Sequence, residues 1–220
     1  MKAFDVDVVF GASGGIGIEI SKVLAQSSNS KKIVLIHNGS SLTQFEGVEK
    51  VELYEFDVES QSIESFCKKI FCGKIRLVLA HGVRLGEPHT ADDFLKAMRV
   101  NCVSSIEIIK SLLKFASEGS RVIVLSSIAQ KQPSYEELSY ASSKAALSSA
   151  LESLQVEATK RKMSIVDIRL GATRTAMCAG RMDEDKLICP KELGEFIVQF
   201  SGFYHDTFRV PVIEILRSRY

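Results

Sequence analysis

The chain has 220 residues and a net charge of +1, with its charges scattered along the sequence. A hydrophobic share of 45% and a charged share of 25% are ordinary for a soluble globular protein. The weak, dispersed charge argues against a nucleic-acid-binding surface. A membrane-spanning helix needs about 20 consecutive apolar residues, and no apolar run in this sequence is that long. The length suits one large domain over residues 1–220.

The cysteines and histidines predict neither a disulfide framework nor a metal site. The five cysteines are an odd number without a C-x-x-C pair, which is typical of a reducing cytoplasm. The first residues carry no signal-peptide pattern, which also favours the cytoplasm. The four histidines lack ligand spacing, so we expect no metal. We expect three of the cysteines in the core, Cys67, Cys102 and Cys178. We expect the other two, Cys72 and Cys189, in loops.

A glycine-rich turn follows the first predicted strand, Val6–Phe10, and precedes an amphipathic helix. The turn reads Gly11-Ala12-Ser13-Gly14-Gly15-Ile16-Gly17. Gly11 permits a tight turn, Gly15 lets the backbone approach a phosphate, and Gly17 allows close packing of helix on strand. The free N–H groups of the helix N-terminus can then bind a pyrophosphate. A flexible Gly/Ser loop is the alternative, which the flanking strand and helix make less attractive.

The rest of the chain alternates between apolar strand-like runs and amphipathic helical segments. The predicted strands are Lys32–His37, Val51–Phe56, Ile75–Ala80, Arg121–Ser127, Ser164–Leu170 and Pro211–Leu216. The predicted helices are Ser60–Phe71, Ala91–Val100, Asn101–Ala116, Ser139–Arg161 and one that begins at Pro190. This alternation predicts an α/β fold, a Rossmann-like doubly wound parallel sheet with helices on both faces, in a single domain.

The segment Tyr140-Ala141-Ser142-Ser143-Lys144 places a tyrosine and a lysine on one helix face, one turn apart. An ammonium there should lower the pKa of Tyr140 toward neutral pH and fit it for proton transfer. Ser127 ends the fifth predicted strand, and ligands bind beyond the carboxyl ends of such strands. The pentapeptide alone would equally suit a surface tyrosine beside a solvated lysine.

Taken in order, these motifs resemble the classical short-chain dehydrogenase/reductase family over nearly the whole chain. The family's catalytic serine, tyrosine and lysine match Ser127, Tyr140 and Lys144, and its active-site asparagine matches Asn101. The family's glycine pattern matches Gly11, Gly15 and Gly17. Further positions implied to contact the cofactor are Asp57 and Val58 after strand three, Ala80, His81 and Gly82 after strand four, and Gly171, Thr173 and Thr175 after strand six.

The resemblance implies hydride transfer between a nicotinamide cofactor and an alcohol or carbonyl substrate. It implies that Tyr140 exchanges a proton with the substrate oxygen while Ser127 orients that oxygen. It implies that Lys144 holds the nicotinamide ribose and lowers the pKa of Tyr140, and that Asn101 positions a relay water. A catalytically silent nicotinamide sensor on the same fold is the alternative function, and the complete residue set argues against it. A purely structural protein would not need the glycine turn.

Several of the matched residues also have simpler interpretations. Asn101 could be a helix N-cap and Asp57 a helix cap. Thr175 could be a turn residue. Ser126 adjoins Ser127 and could be mistaken for the catalytic serine. The spacing to Tyr140 favours Ser127 as the catalytic residue and Ser126 as its support.

The chain departs from the family pattern at several positions. Phe10 replaces the usual threonine before the glycine turn, and Leu170 replaces a proline. Leu79-Ala80-His81-Gly82 replaces the usual Asn-Asn-Ala-Gly, a loop that contacts cofactor mainly through its backbone. The short segment Ala176–Cys189 predicts a substrate site that is open or only lightly covered. Such a site favours a bulky or carrier-linked substrate, with 3-oxoacyl and sugar types as examples.

Cofactor selectivity in this fold lies at the end of the second strand. Here the sequence is His37-Asn38-Gly39-Ser40-Ser41, with neither an acidic residue to repel a 2′-phosphate nor an arginine to bind it. The side chains of Asn38 and Ser40 can donate hydrogen bonds to a phosphate, and His37 can do so with charge when protonated. Asn-Gly can also simply form a turn. We expect a modest preference for NADP with NAD also accepted.

One face of the Tyr140 helix carries small residues, Ser142, Ala146, Ser149 and Ser153. Small residues allow another helix to approach closely, and members of the family commonly pair through the helices that begin near Asn101 and Ser139. A solvent-facing polar stripe is the other interpretation. We expect a homodimer or homotetramer.

Overall fold

The computed structural model describes residues 4–87, 89–132, 134–180, 186–203 and 209–217. They contain a parallel sheet of seven strands in the order β3-β2-β1-β4-β5-β6-β7. The strand order reverses between β1 and β4, which opens a crevice at their carboxyl ends. The strands are β1 Val6–Phe10, β2 Lys32–His37, β3 Val51–Glu55, β4 Ile75–Leu79, β5 Arg121–Ser127, β6 Ser164–Leu170 and β7 Val212–Ile215.

Helices cover both faces of the sheet, so the predicted doubly wound α/β fold is confirmed. Helices α2, α4 and α5 pack on one face, and α1 and α6 pack on the other. Each face buries its own apolar cluster, as expected for a parallel sheet covered twice. The helices are α1 Gly15–Ser27, α2 Ile63–Ile70, α3 Ala91–Met98, α4 Ser104–Phe115, α5 Leu138–Lys160 and α6 Pro190–Gly202.

Helix α2 begins later than the sequence predicts, at Ile63 instead of Ser60. The Asp57 carboxylate explains this, because it accepts hydrogen bonds from the Glu59 backbone N–H at 2.9 Å and from the Ser60 hydroxyl at 2.7 Å. These bonds form a local turn that competes with helix formation.

The two predicted helices that meet at Asn101 are joined by the π-helical segment Arg99–Val103. π-helical turns are rare and occur often at functional sites. The segment leaves Asn101 fully buried, and its side chain bonds outward to other elements. Asn101 is therefore not the N-cap of α4, whose first residue is Ser104.

In the part of the chain that the structure describes, no helix is long and apolar enough to cross a membrane. Among those same residues, no three histidine, cysteine, aspartate or glutamate side chains cluster as metal ligands would.

Candidate active site

The glycine turn after β1 is so tightly packed that side chains would not fit at its key positions. Gly11 has a φ of +79°, in the left-handed region that glycine favours. A Cβ atom on Gly17 would lie 2.0 Å from the carbonyl oxygen of Gly11, and one on Gly15 would lie 2.5 Å from Cγ2 of Thr175. The turn is thus a backbone cradle, and Thr175 stands directly against it.

Helix α1 leaves its first N–H groups available to a ligand. The helix begins at Gly15, and its N-cap, Gly14, provides no side-chain hydrogen bond. The first turn contains no acidic residue. Unsatisfied N–H groups and the positive end of the helix dipole favour an anion there. With Ser13 beside it in the same turn, this cradle fits the pyrophosphate of a nicotinamide dinucleotide.

The residues predicted to bind the adenosine half lie at the carboxyl ends of β2 and β3. The carbonyl of His37 accepts a hydrogen bond from the backbone of Phe56 at 2.8 Å, which places Asp57 and Val58 next to it. Asn38 is exposed. The Ser60 hydroxyl and the Glu59 N–H hold the pKa of Asp57 below its ordinary value, so this carboxylate acts as a cap of the following turn.

Glu55, the last residue of β3, was missed by the sequence analysis of cofactor selectivity. Its Oε1 lies 3.6 Å from where a Cβ atom on Gly39 would stand. The structure thus brings a carboxylate from β3 to the turn after β2. The signal that could have found it is the parallel register, which pairs Glu55 with His37.

A cavity of about 530 Å³ opens at the carboxyl ends of β4, β5 and β6. Side chains from five separate segments of the chain meet there. The predicted site residues that line it are Ile16, Ala80, His81, Gly82, Ser127, Tyr140, Lys144, Gly171, Thr173 and Thr175. The other predicted residues lie outside its lining, at the glycine turn, at the ends of β2 and β3, and at Asn101.

The structure brings Ser127 and Tyr140 into hydrogen-bonding contact at the cavity. The Ser127 hydroxyl accepts a hydrogen bond from the Ala129 N–H at 3.1 Å, which orients it. Burial raises the pKa of Tyr140, and the hydrogen bond from Ser127 opposes that rise. The expected lowering of the Tyr140 pKa is therefore wrong, because desolvation of the phenolate outweighs the interactions that stabilise it.

Lys144 is almost completely buried, and its Nζ donates a hydrogen bond to the carbonyl oxygen of Leu125 at 3.1 Å. The same nitrogen lies 5.8 Å from the ring centroid of Tyr140. Burial lowers the pKa of Lys144 to about 8. The lysine is therefore mostly charged at pH 7 but titrates close to neutral pH, unlike an exposed lysine.

Asn101 fixes the loop that follows β4. Its Oδ1 accepts from the Val83 N–H at 2.7 Å, and its Nδ2 donates to the Val83 carbonyl at 2.9 Å. Nδ2 also donates to the Ser143 hydroxyl at 2.9 Å, on the helix of Lys144. A Cβ atom on Gly82 would lie 3.0 Å from Oδ1 of Asn101 and 3.5 Å from Nζ of Lys144. Asn101, Gly82 and Lys144 therefore form one contiguous group.

Two departures from the family pattern contact each other. The rings of Phe10 and His81 lie 6.1 Å apart between centroids. Nε2 of His81 lies 2.9 Å from the Ser104 hydroxyl, which itself donates to the Val100 carbonyl, so the ring nitrogen acts as the donor. Burial, and secondarily the charge of Lys144, lowers the pKa of His81 to about 3. The neutral His81 thus anchors the loop after β4 to the first residue of helix α4.

Charged residues that the sequence analysis did not foresee lie at the cavity wall near Tyr140. Arg84 forms an ion pair with Glu137, and its guanidinium carbon lies 5.7 Å from the ring centroid of Tyr140. Cys178, expected in the core, is half-buried at the same cavity because the segment after Thr175 runs across its edge. Part of that segment, residues 181–185, lies outside the described residues.

Several solved structures have a fold similar to that of this chain. The first is BdcA in complex with NADPH, with 17% identity, a TM-score of 0.83 and coverage of 97% of this chain and 93% of that one. A short chain dehydrogenase from Burkholderia cenocepacia J2315 in complex with NADP has 18% identity, a TM-score of 0.82 and coverage of 96% and 95%. A 3-oxoacyl-[acyl-carrier protein] reductase from Brucella melitensis has 19% identity, a TM-score of 0.74 and coverage of 92% and 91%.

A search among curated protein sequences found no match. The family model for short chain dehydrogenases, however, matches residues 5–186, which include the glycine turn, Asn101, Ser127, Tyr140 and Lys144. The chain therefore belongs to the short-chain dehydrogenase/reductase family, whose members are NAD(P)-dependent oxidoreductases.

Proposed function

We propose that this enzyme reduces a carbonyl, or oxidises the corresponding alcohol, with Ser127, Tyr140 and Lys144 as its catalytic residues and Asn101 as their support. The observation that carries the proposal is the convergence of the three catalytic side chains on one cavity beside the glycine cradle. The nicotinamide cofactor supplies or accepts the hydride. The chain binds the reactants and moves the proton.

In the reductive direction, Tyr140 donates its phenolic proton to the carbonyl oxygen, and the Ser127 hydroxyl hydrogen-bonds the same oxygen. The contact between Ser127 and the Tyr140 oxygen supports this pairing of roles. Lys144 holds the ribose and, as an ammonium 5.8 Å from the ring centroid of Tyr140, favours the phenolate that forms. Asn101, tied to the loop after β4, supports a water that returns a proton through Lys144.

The substrate proposed here is a polar, bulky or carrier-linked carbonyl compound, such as a 3-oxoacyl thioester or an oxidised sugar. The polar residues Gln132, Ser134 and Glu137 line the cavity, and they suit a hydrated or hydroxyl-bearing substrate better than an apolar one. The acyl-carrier protein reductase among the structural neighbours supports trying the first class. The five free cysteines support a reducing, cytoplasmic location.

Absorbance at the nicotinamide band tests this function directly. Purified enzyme with NADPH is offered 3-oxoacyl thioesters, oxidised sugars and simple ketones, and the corresponding alcohols are offered with NADP. Turnover of at least one compound is expected. Tight NADPH binding without turnover of any compound would instead support the alternative function, a nicotinamide-sensing protein.

The cofactor preference is proposed to be modest and in favour of NADPH. The turn after β2 carries no acid of its own, but the Glu55 carboxylate beside Gly39 limits the preference by repelling a 2′-phosphate. Fluorescence titrations with the two cofactors at pH 6 should give tighter binding of NADPH than of NADH. Glu55→Gln should tighten NADPH binding without changing NADH binding. NADH binding tenfold tighter than NADPH at pH 6 would contradict the proposal.

The protein is proposed to be a homodimer or homotetramer that pairs through α4 and α5. Ser149 is exposed on α5, and so are Val156 about two turns further along the same helix and Val103 just before α4. Ser149→Glu should split the oligomer, because it introduces a charge where helices pack closely. Light scattering measures this, with Ser27→Glu on α1 as the control that should not change the mass. A wild-type monomer at micromolar concentration would refute the proposal.

A further inference from the structure

Asp167, in the middle of β6, is a buried carboxylate next to the active site, with an exposed fraction of only 3%. It accepts a hydrogen bond from the hydroxyl of Ser126, the residue that precedes Ser127 on β5. It accepts another from the Ser148 hydroxyl at 2.9 Å, one turn beyond Lys144 on α5. One carboxylate thus connects the strand that carries Ser127 to the helix that carries Lys144.

The ion-pair partner of Asp167 is shared with another acid. Nε of Arg169 lies 2.9 Å from Oδ2 of Asp167, while its Nη1 lies 3.6 Å from Oε1 of Glu214. The guanidinium is therefore divided between two carboxylates and does not fully offset the Asp167 charge. A purely structural ion pair would need only Arg169, whereas the two serine donors come from the elements that build the active site.

Four titratable groups from different elements surround the Lys144 ammonium. They are Asp167 on β6, Cys102 in the π-helical segment, His81 after β4 and Tyr140 on the same helix. Burial raises the pKa values of Cys102 and Tyr140 and lowers that of His81 to about 3, so these three are neutral at pH 7. Asp167 is the first of two groups whose charge offsets the desolvation of Lys144; the second, Cys102, would do so only as a thiolate, which its burial disfavours.

We propose that Asp167 is a positioning residue for Lys144. Its carboxylate holds α5 against β5 through Ser148 and Ser126, and it keeps the Lys144 side chain in its charged form. The charged form is the one that donates hydrogen bonds to a ribose and favours the phenolate of Tyr140. The inference rests on the proposed function only where it concerns ribose binding and the phenolate of Tyr140. The hydrogen bonds that Asp167 accepts from Ser126 and Ser148 exist whether or not the protein turns over a substrate.

Asp167→Asn tests the inference, because it keeps the size and one acceptor oxygen and removes the charge. The ionisation of Lys144 is followed by the NMR shift of its Cε in uniformly labelled, cofactor-free protein, and Lys144→Met identifies the signal. The midpoint should lie near pH 8 in the wild type and about one unit lower in Asp167→Asn. Ser148→Ala removes a hydrogen bond but no charge, so it should leave the midpoint unchanged.

Arg169→Gln gives the opposite expectation and keeps the test decisive if Asp167→Asn does not fold. Loss of the guanidinium leaves the Asp167 charge less neutralised, so the Lys144 midpoint should rise above that of the wild type. An unchanged midpoint in folded Asp167→Asn overturns the inference. If that variant is unfolded, an unchanged midpoint in Arg169→Gln overturns it. Failure to find a substrate would overturn the proposed function while leaving this titration result standing.

Discussion

Replacement of Tyr140 with phenylalanine is expected to reduce turnover by about 10²–10⁴-fold, the usual contribution of a general acid or base. The substitution removes the hydroxyl that receives the Ser127 hydrogen bond and leaves the ring in place. NADPH binding should change little, because the glycine cradle and the buried Lys144 remain. Steady-state rates with a substrate from the carbonyl panel and NADPH fluorescence titration measure the two effects separately.

Tyr135→Phe is the matched control for this experiment. Tyr135 lies five residues earlier on the same approach to α5, with an exposed fraction of 73%, and it is absent from the cavity lining. Loss of its hydroxyl should leave both turnover and cofactor binding unchanged. Near-normal turnover in Tyr140→Phe would remove Tyr140 from the mechanism.

The sheet was predictable from the sequence because most of its strands are largely apolar runs bounded by turn residues. The bounds of β1, β2, β5 and β6 agree with the prediction to the residue, since the middle of each run is buried and each run ends at a polar residue or just before a glycine. The strands β3 and β4 end one residue earlier than predicted. The edge strand β7 is shorter by one residue at each end.

The contacts between distant segments were not predictable from local patterns. Nothing in the sequence near Asn101 distinguishes a π-helical turn from two helices that meet, and the hydrogen bonds of Asn101 reach Val83 and Ser143, which are 18 and 42 residues away. Phe10 and His81 are separate oddities in the sequence, and only the neighbouring positions of β1 and β4 bring their rings together.

The electrostatics of the site were the least accessible from the sequence. Helical spacing correctly placed Lys144 near Tyr140, but it carries no information on how deeply both are buried. Burial determines the direction of both pKa shifts, upward for Tyr140 and downward for Lys144. Asp167 was read only as part of a strand, because its partners Ser126 and Ser148 lie 41 and 19 residues away.

Gly17→Ala is expected to abolish NADPH binding and to lower the free energy of unfolding by about 3 kcal/mol, the upper end of the usual cost of overpacking. The new Cβ atom would lie 2.0 Å from the carbonyl oxygen of Gly11 and 2.9 Å from its carbonyl carbon. These are backbone atoms, and the Gly14 N–H also bonds to that oxygen at 3.1 Å. The turn can accommodate the methyl group only if α1 moves away from β1, which opens the phosphate cradle.

Gly86→Ala is the control that separates this steric effect from a general effect of glycine replacement. A Cβ atom there would meet no atom within 4 Å, and Gly86 is exposed and lies outside the set of glycines with positive φ. Its free energy of unfolding should stay within about 0.5 kcal/mol of the wild type. Urea unfolding and NADPH fluorescence measure both variants. Wild-type NADPH affinity in Gly17→Ala would show that the close packing of the turn is not what forms the cofactor site.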